Sequence, residues 1–148
     1  VNGISNLARQ AMTTASSTHP NPVYSVYNAV DGNKDAGGWQ HWCNADDAPA
    51  TPAQPAWLML EWPKPQAVRR AVLTFMKDYT VSGYGLEYRK QGEWIPFGAA
   101  KVQGNTSILK EHAVATPVVT DAIRFLGIQG PARQPSTVRV VEIEVFER

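Results

Sequence analysis

Apolar and polar residues alternate in short runs along most of the chain, and turn-forming residues separate these runs. The alternation predicts β-strands, because successive side chains of a strand face opposite sides of a sheet. Seven or more short strands with almost no helix favour an all-β fold, either an antiparallel sandwich or a barrel. The candidate strands are Trp57–Trp62, Ala67–Met76, Gly85–Lys90, Glu93–Phe97, Ser107–Val114, Ala122–Ile128 and Val138–Phe146.

Turn chemistry sets the predicted ends of these strands. Pro63 and Pro65 predict the end of the first one, and the pairs Gln91-Gly92 and Gly104-Asn105 predict hairpin turns. The Ala, Pro and Asp residues of 45–55 predict a long surface loop.

One short segment has helical rather than strand-like spacing. Its apolar positions are Val23, Val26, Tyr27 and Val30. Asn21 can cap a helix there, and Pro22 suits the first helical position. We therefore expect one or two helical turns before Asp31.

The length of 148 residues predicts a single domain, residues 1–148, that can bury its core without disulfides. With 14 basic and 13 acidic residues the net charge is +1, which argues against a nucleic-acid partner. The longest apolar runs are too short to span a membrane. Val1 is not an initiator methionine, so we expect a processed product or an excised domain of a longer protein.

Few residues offer catalytic chemistry. Cys43 is the only cysteine, and although His41 and Asp46 are near it in sequence, catalytic triads are seldom built from sequence neighbours. The loop carboxylates Asp35, Asp46, Asp47 and Asp78 have the residue type that glycoside hydrolysis needs but no accompanying signature. No nucleophile elbow or phosphate-binding glycine loop is present.

An acidic turn and a distant acidic strand provide the oxygen chemistry of a cation site. Asp31 and Asn33 flank Gly32, and Glu142 and Glu144 alternate in the last predicted strand. Together such segments can hold a hard cation, which would join the two ends of the domain. The alternative is that Asp31 caps a turn and Glu142 faces solvent.

The aromatic residues indicate a second kind of site. Trp57, Trp62 and Trp94 lie in predicted strands and are most simply core or sheet residues. Trp39 and Trp42 instead lie in a loop with Gln40, His41 and Asn44. A sugar site needs an aromatic plane and a few polar groups, and this loop has both. We expect Trp42 to be functional and Trp39 to be equally compatible with the core.

A set of segments in fixed order resembles the galactose-binding-like β-sandwich of discoidin (coagulation-factor C-type) domains and family 32 carbohydrate-binding modules. The resemblance covers nearly the whole chain and implies an antiparallel jelly-roll sandwich with both termini at one end. The segments are Asn6-Leu7-Ala8, Asp31-Gly32-Asn33 with Trp39, Pro55–Leu60, Gly85–Tyr88 with Trp94, Ala122–Phe125 and Glu142–Phe146.

The same resemblance implies a structural Ca²⁺ ion. Asp31 and Glu142 would supply side chains, with Asn33 and the loop carbonyls onward to Trp39 supplying further oxygens. The sequence departs from the family pattern here, because the loop is one residue longer and Gly37-Gly38 replaces the usual threonine.

The resemblance also implies a ligand site on two loops at one end of the sandwich. His41 and Lys77 stand near the places of the family's sugar-binding histidine and arginine, although the shifted positions weaken the case for galactose. Trp42 or Tyr79 would stack on the sugar. The predicted ligand-binding residues are His41, Trp42, Lys77, Asp78 and Tyr79, with Arg133 and Gln134 as weaker additions.

These observations predict a non-catalytic carbohydrate-binding module that tethers an extracellular, glycan-active enzyme to its substrate. We expect a bacterial secreted protein, outside the cell or in the periplasm. An adhesion module for proteins or cell surfaces is the alternative, since one fold serves both. Insertion into membranes is disfavoured because Asp46, Asp47 and Asp78 would repel anionic lipid.

Overall fold

The computed structural model describes residues 5–98 and 101–148, so that Val1 lies outside the described part. Its strands pair antiparallel, which confirms the predicted β-sandwich. The strands are β1 (Met12–Ala15), β2 (Trp42–Cys43), β3 (Ala56–Thr74), β4 (Gly83–Lys90), β5 (Glu93–Pro96), β6 (Leu109–Gln129), β7 (Arg139–Val140) and β8 (Glu142–Phe146).

Two long bent strands, β3 and β6, run through both halves of the sandwich. The first half of β3 pairs with β1 and with the end of β6, and its second half pairs with β8 and the start of β6. The register shifts between Glu61 and Gln66, where Pro63 and Pro65 interrupt the ladder. The prolines thus produce an irregularity inside one strand and not the predicted strand end, because proline removes a backbone donor without preventing extended structure.

The remaining strands complete the order β1-β3-β6-β4-β5, while β2 pairs with β7. The predicted Gln91-Gly92 hairpin is confirmed, and both residues have positive φ angles of 52° and 80°. Gly104 also turns at φ 64°, but the described residues on its two sides form no hairpin, and Val102 instead makes an isolated bridge to Tyr84. The predicted last strand divides into β7 and β8, and β1 was missed because its sequence is short and threonine-rich.

Three 3₁₀ helices occupy the first third of the described chain: Leu7–Gln10, Pro22–Tyr24 and Val26–Val30. The second and third confirm the helical turns predicted from the apolar spacing. Asn21 caps the second helix by accepting from the backbone N–H of Val23, with Pro22 at the first position as expected.

The core lies between the two halves of the sandwich. Its largest fully buried side chains include Trp42, Tyr84, Phe75, Phe97 and Phe125, contributed by β2, β4 and β6 and the segments beside β3 and β5. Two indoles bury their rings while donating to backbone carbonyls: Trp42 Nε1 to Ser17 (3.1 Å) and Trp62 Nε1 to Leu7 (2.9 Å).

The two ends of the described chain meet at Asn6. Its Oδ1 accepts from the backbone N–H of Ala8 at 3.1 Å and from that of Val145 at 3.0 Å. One amide therefore caps the first 3₁₀ helix and joins it to β8, which agrees with the predicted proximity of the termini. Within the described residues, no helix combines the length and the apolar character needed to cross a membrane.

Candidate functional site

Three loops converge on the short strand β7. They are the 31–41 loop before β2, the 75–82 loop after β3 and the 130–138 loop before β7. The first two are joined by the Lys77 N–H, which donates to the Ala36 carbonyl at 2.8 Å. The third closes on itself through the Gly130 N–H and the Pro135 carbonyl, also at 2.8 Å.

Arg139 lies at the centre of this convergence. Its side chain leaves β7 and is surrounded by the rings of Tyr24, Trp39 and Tyr79, whose centroids are 5.5, 6.0 and 5.1 Å from the guanidinium carbon. Arg139 is only 8% exposed. We call Tyr24, Trp39, His41, Tyr79 and Arg139 the Arg139 cluster.

His41 is hydrogen-bonded to Arg139. Arg139 Nη1 and His41 Nε2 are 3.0 Å apart and form a hydrogen bond. Because a guanidinium group can only donate, Arg139 is the donor and His41 Nε2 the acceptor. The histidine proton must therefore reside on Nδ1. Burial, and next the charge of Arg139, lower the pKa of His41 to about 4, against a smaller opposing effect of the Gly38 backbone. At neutral pH His41 is uncharged.

The outer part of the cluster is aromatic and accessible. Trp39 is 51% exposed, and its ring lies 6.3 Å from that of Tyr79 and 6.1 Å from His41. Arg133 lies over the Tyr79 ring at 5.3 Å, and Gln134 Oε1 accepts from Arg139 Nη2 at 3.0 Å. Aromatic planes beside fixed polar donors are what a sugar ring requires.

The prediction for Trp42 is wrong. Its side chain is 0% exposed and packs in the core, with its indole N–H bonded to Ser17, so it has no face to offer a ligand. Trp39, three residues earlier, has the exposed position instead. The physical reason is that Trp42 lies in β2, both of whose residues are buried where it pairs with β7, whereas Trp39 still belongs to the exposed loop.

The other predicted ligand residues are divided between the cluster and its rim. Tyr79 and His41 belong to the cluster, and Arg133 and Gln134 contact it. Lys77 and Asp78 are exposed in the neighbouring turn, where Asp78 has a φ of 69°, and neither forms an ion pair among the described residues.

The sequence reasoning missed Tyr24 and Arg139. Tyr24 lies in the segment whose spacing predicts a helical turn, and its ring centroid is 4.9 Å from those of both His19 and His41. Arg139 did carry a signal, because it is a single charge within the otherwise apolar run Val138–Val141. A charge inside a buried strand is rare unless it has a function or a partner.

The acidic turn and β8 meet as the predicted cation site requires. Glu142 is 0% exposed; its Oε2 accepts from the Gly32 N–H at 2.9 Å, and its buried Oε1 has no hydrogen-bond partner among the described residues. Burial raises the pKa of Glu142 to about 8, with Asp31 and Glu144 adding to the effect and the Gly32 N–H opposing it. Without metal, Glu142 is therefore mostly protonated at neutral pH. A hard cation beside Asp31 would displace this proton and would bind the resulting carboxylate.

Asn33 also shapes the loop that carries the predicted cation site. Its Oδ1 accepts from the Asp35 N–H at 3.0 Å, and its Nδ2 donates to Gln40 Oε1 at 2.9 Å. Because an amide oxygen has two lone pairs, Oδ1 can accept this hydrogen bond and still bind a cation, so Asn33 stays a predicted ligand. Within the described residues no group of three or more His, Cys, Asp or Glu side chains forms a metal site, so carbonyl oxygens would have to complete this one.

The environment of Cys43 does not favour the reactive thiolate form. It is buried, and burial is the main cause that raises the pKa of its thiol. Its Sγ donates to the Asn44 carbonyl at 3.4 Å.

The fold and the position of its loops define a galactose-binding-like β-sandwich. The chain belongs to the F5/8 type C domain family, which matches residues 12–143. No curated protein matches the chain.

Solved structures with the same fold include modules with bound or named carbohydrates. The family 32 carbohydrate-binding module of Clostridium perfringens NanJ, in complex with galactose, is 16% identical with a TM-score of 0.75, covering 98% of this chain and 100% of that one. Chitosan-binding module 1, derived from the chitosanase/glucanase of Paenibacillus sp. IK-5, is 19% identical with a TM-score of 0.75, covering 95% and 98%. The lectin binding domain of lectinolysin, a histidine mutant complexed with Lewis b, is 18% identical with a TM-score of 0.71, covering 97% and 96%.

Proposed function

We propose that this domain is a non-catalytic carbohydrate-binding module whose site is the Arg139 cluster. The observation that supports it most is the pair of accessible rings, Trp39 and Tyr79, beside the fixed donors of Arg139. The rings would cover the apolar C–H face of a sugar, and the guanidinium would bond its oxygens. The similar structures named above support a sugar ligand, while the sandwich supplies the scaffold.

We further propose that the domain acts outside the cell as part of a larger glycan-active protein. A chitosan-binding module of the same fold is derived from an enzyme, which supports this role. Holding an enzyme close to a polysaccharide raises its local concentration at the substrate, so that modest affinity for each site suffices.

A glycan array with matched variants tests the proposed site. Trp39→Ala should weaken binding about tenfold, because losing about 60 Å² of stacked apolar area costs about 1.5 kcal/mol at about 25 cal/mol per Å². Tyr27→Ala is the control, since Tyr27 is 65% exposed but lies outside the cluster. Equal binding by the two variants would place the site elsewhere.

Two other outcomes would replace the proposed function. Turnover of aryl glycosides by the purified domain would make it an enzyme. Binding to cell surfaces that persists after enzymatic removal of their glycans, with no signal on the array, would favour the adhesion module.

We also propose that Ca²⁺ joins the acidic turn to β8. Asp31 and Glu142 would hold it with their side chains, and loop carbonyls from Asn33 onward would add ligands. The main support is the buried Glu142 carboxyl group beside Asp31, whose Oε1 accepts no hydrogen bond among the described residues. Bound Ca²⁺ would neutralise two neighbouring carboxylates and fix the loop that carries Trp39.

Chelation tests the calcium proposal directly. With free Ca²⁺ about a hundredfold above its Kd, the folded state should gain roughly 2.7 kcal/mol, so a chelator should lower the Tm. Glu142→Gln should abolish this response while keeping an oxygen for the Gly32 N–H. Glu144→Gln is the matched control, since Glu144 pairs with Lys34 at 3.5 Å. A Tm that is identical with and without chelator, starting from metal-loaded protein, would contradict the proposal.

A further inference from the structure

Arg139 differs from the other well-packed arginines of the domain in lacking a carboxylate partner. Arg89 pairs with Glu61 and Asp121, Arg124 with Glu87, and Arg70 with Glu111, all at 2.7–3.6 Å. No described carboxylate lies within 4.0 Å of the Arg139 guanidinium. Yet Arg139 is more deeply buried than any of these three.

Among the described residues, both hydrogen-bond partners of the Arg139 side chain are neutral. Nη1 donates to the uncharged His41 and Nη2 to the amide of Gln134, while Nε is buried with no hydrogen-bond partner among the described residues. The three surrounding rings attract the cation through their faces but cannot accept its hydrogen bonds as an anion would. A buried charge without an opposite charge is costly, and a partner anion would relieve it.

The groups around Arg139 favour an anion as well. Arg133 approaches the same Tyr79 ring from the 130–138 loop, and Lys77 lies in the adjoining turn. In the 31–41 loop, Asp31 accepts from the Asn33 N–H and Asp35 from the Gly37 N–H. Neither carboxylate lies within 4.0 Å of the Arg139 guanidinium. Asp78 is exposed and lies more than 4.0 Å from any described cationic nitrogen.

Given the proposed carbohydrate site, on which this inference rests, we infer that its ligand is an acidic saccharide whose carboxylate or sulfate pairs with the guanidinium of Arg139. The planar guanidinium suits two oxygens of such a group, and the rings of Trp39 and Tyr79 are placed to flank the sugar that carries it. Arg133 gives a second, exposed positive charge at the rim.

Matched ligands test the inference without any mutation. The probes are methyl glycosides of galactose, glucose and mannose, each as the neutral sugar, the 6-sulfate, the uronate and the uronate methyl ester. Titration of the domain, run once with added Ca²⁺ and once with chelator, should show at least one uronate or sulfate binding about tenfold or more tightly than its neutral or esterified counterpart. The uronate and sulfate series distinguish the two sources of negative charge.

Variants then assign the discrimination to Arg139. Arg139→Gln should abolish the difference between acid and ester, and Arg139→Lys should retain part of it. Arg69→Gln is the control, because it removes one exposed positive charge elsewhere and should leave the difference unchanged. If Arg139→Gln does not fold, the comparison of acid with ester in the wild-type protein decides whether the ligand is acidic, and the same comparison in Arg139→Lys decides whether Arg139 binds the anion.

The outcomes separate this inference from the proposed function. Equal binding of neutral and acidic sugars, or binding of neutral glycans alone on the array, would overturn the inference that the ligand is acidic. The proposal of a carbohydrate-binding module would still stand. A difference that survives Arg139→Gln would overturn the role of Arg139. Failure to bind any probe and any array glycan would overturn both proposals.

Discussion

Trp39 and Trp42 are three residues apart but have opposite environments, and this contrast defines the site at the scale of single residues. Trp39 is half exposed beside Tyr79, while Trp42 is fully buried and bonded to Ser17. The neighbouring residues do not distinguish the two tryptophans, because glycines precede Trp39, polar residues precede Trp42, and both patterns are typical of loops. The start of β2 decides which indole turns inward.

The main effect of replacing Trp42 with Ala should therefore be a lower free energy of unfolding. Removing a buried indole costs about 3–5 kcal/mol. Urea unfolding should show this loss for Trp42→Ala, whereas Trp39→Ala should stay within about 0.5 kcal/mol of wild type, as surface substitutions usually do. A Trp42→Ala domain of unchanged stability would mean that the indole is not part of the core.

His112 gives the stability of the domain a pH dependence. It is buried and hydrogen-bonded to Tyr84 Oη at 2.6 Å, and burial, followed by the charge of Lys110, lowers its pKa. The unfolded state therefore binds the proton more readily, so His112 should reduce stability progressively as the pH falls below about 6.5.

Comparing wild type with His112→Gln at each pH isolates this effect, because His41 and Glu142 titrate in both proteins. The variant keeps a hydrogen-bonding side chain that does not titrate. We expect the free energy of unfolding to decrease more steeply for wild type between pH 7 and pH 5. Parallel curves would exclude a contribution from His112.

At the scale of elements, the 130–138 loop depends on Gly130. A Cβ at this position would overlap the backbone oxygens of Thr137 and Gln134, which close the loop around it. The loop carries Arg133 and Gln134 to the edge of the Arg139 cluster. Glycine at position 130 is therefore needed to hold Arg133 and Gln134 beside the Arg139 cluster.

Gly130→Ala should weaken ligand binding and lower the Tm together, because the loop must open to accept the methyl group. Gly92→Ala is a suitable control, since Gly92 has open space around it but a φ of 80°. That substitution should cost about 1–2 kcal/mol from backbone strain alone and leave affinity unchanged. Calorimetric titration and thermal unfolding of both variants measure the two effects, and unchanged affinity in Gly130→Ala would show that the loop is not needed for binding.

Elements with clear local signals were predictable from the sequence. Asn21-Pro22 marked a helix start and Gln91-Gly92 a hairpin, because caps and turns depend on adjacent residues. Tyr24 and Arg139 were not predictable as partners, since 115 positions separate them and only the pairing of β2 with β7 brings the loops together. Which side chains meet across distant segments depends on the register in which the strands pair. The alternation of apolar and polar residues alone does not determine that register.

At the scale of the whole molecule, Asn6 joins the beginning of the described chain to its last strand. Its single Oδ1 accepts from Ala8 and Val145, so Asn6→Ala should lose a helix cap and a long-range bond together, about 1–2 kcal/mol. Asn21→Ala, which removes only a local cap, should cost less. Chemical unfolding compares them, and equal losses would show that the bond to Val145 contributes nothing measurable.

The bond between Asn6 and Val145 also has a consequence for architecture. A domain whose chain enters and leaves at neighbouring points can be inserted into a surface loop of a host protein with little distortion of either partner. For the same reason, a short peptide linking the two ends of the described chain, with new termini opened at the exposed residues 52–54, should give a circular permutant that still folds.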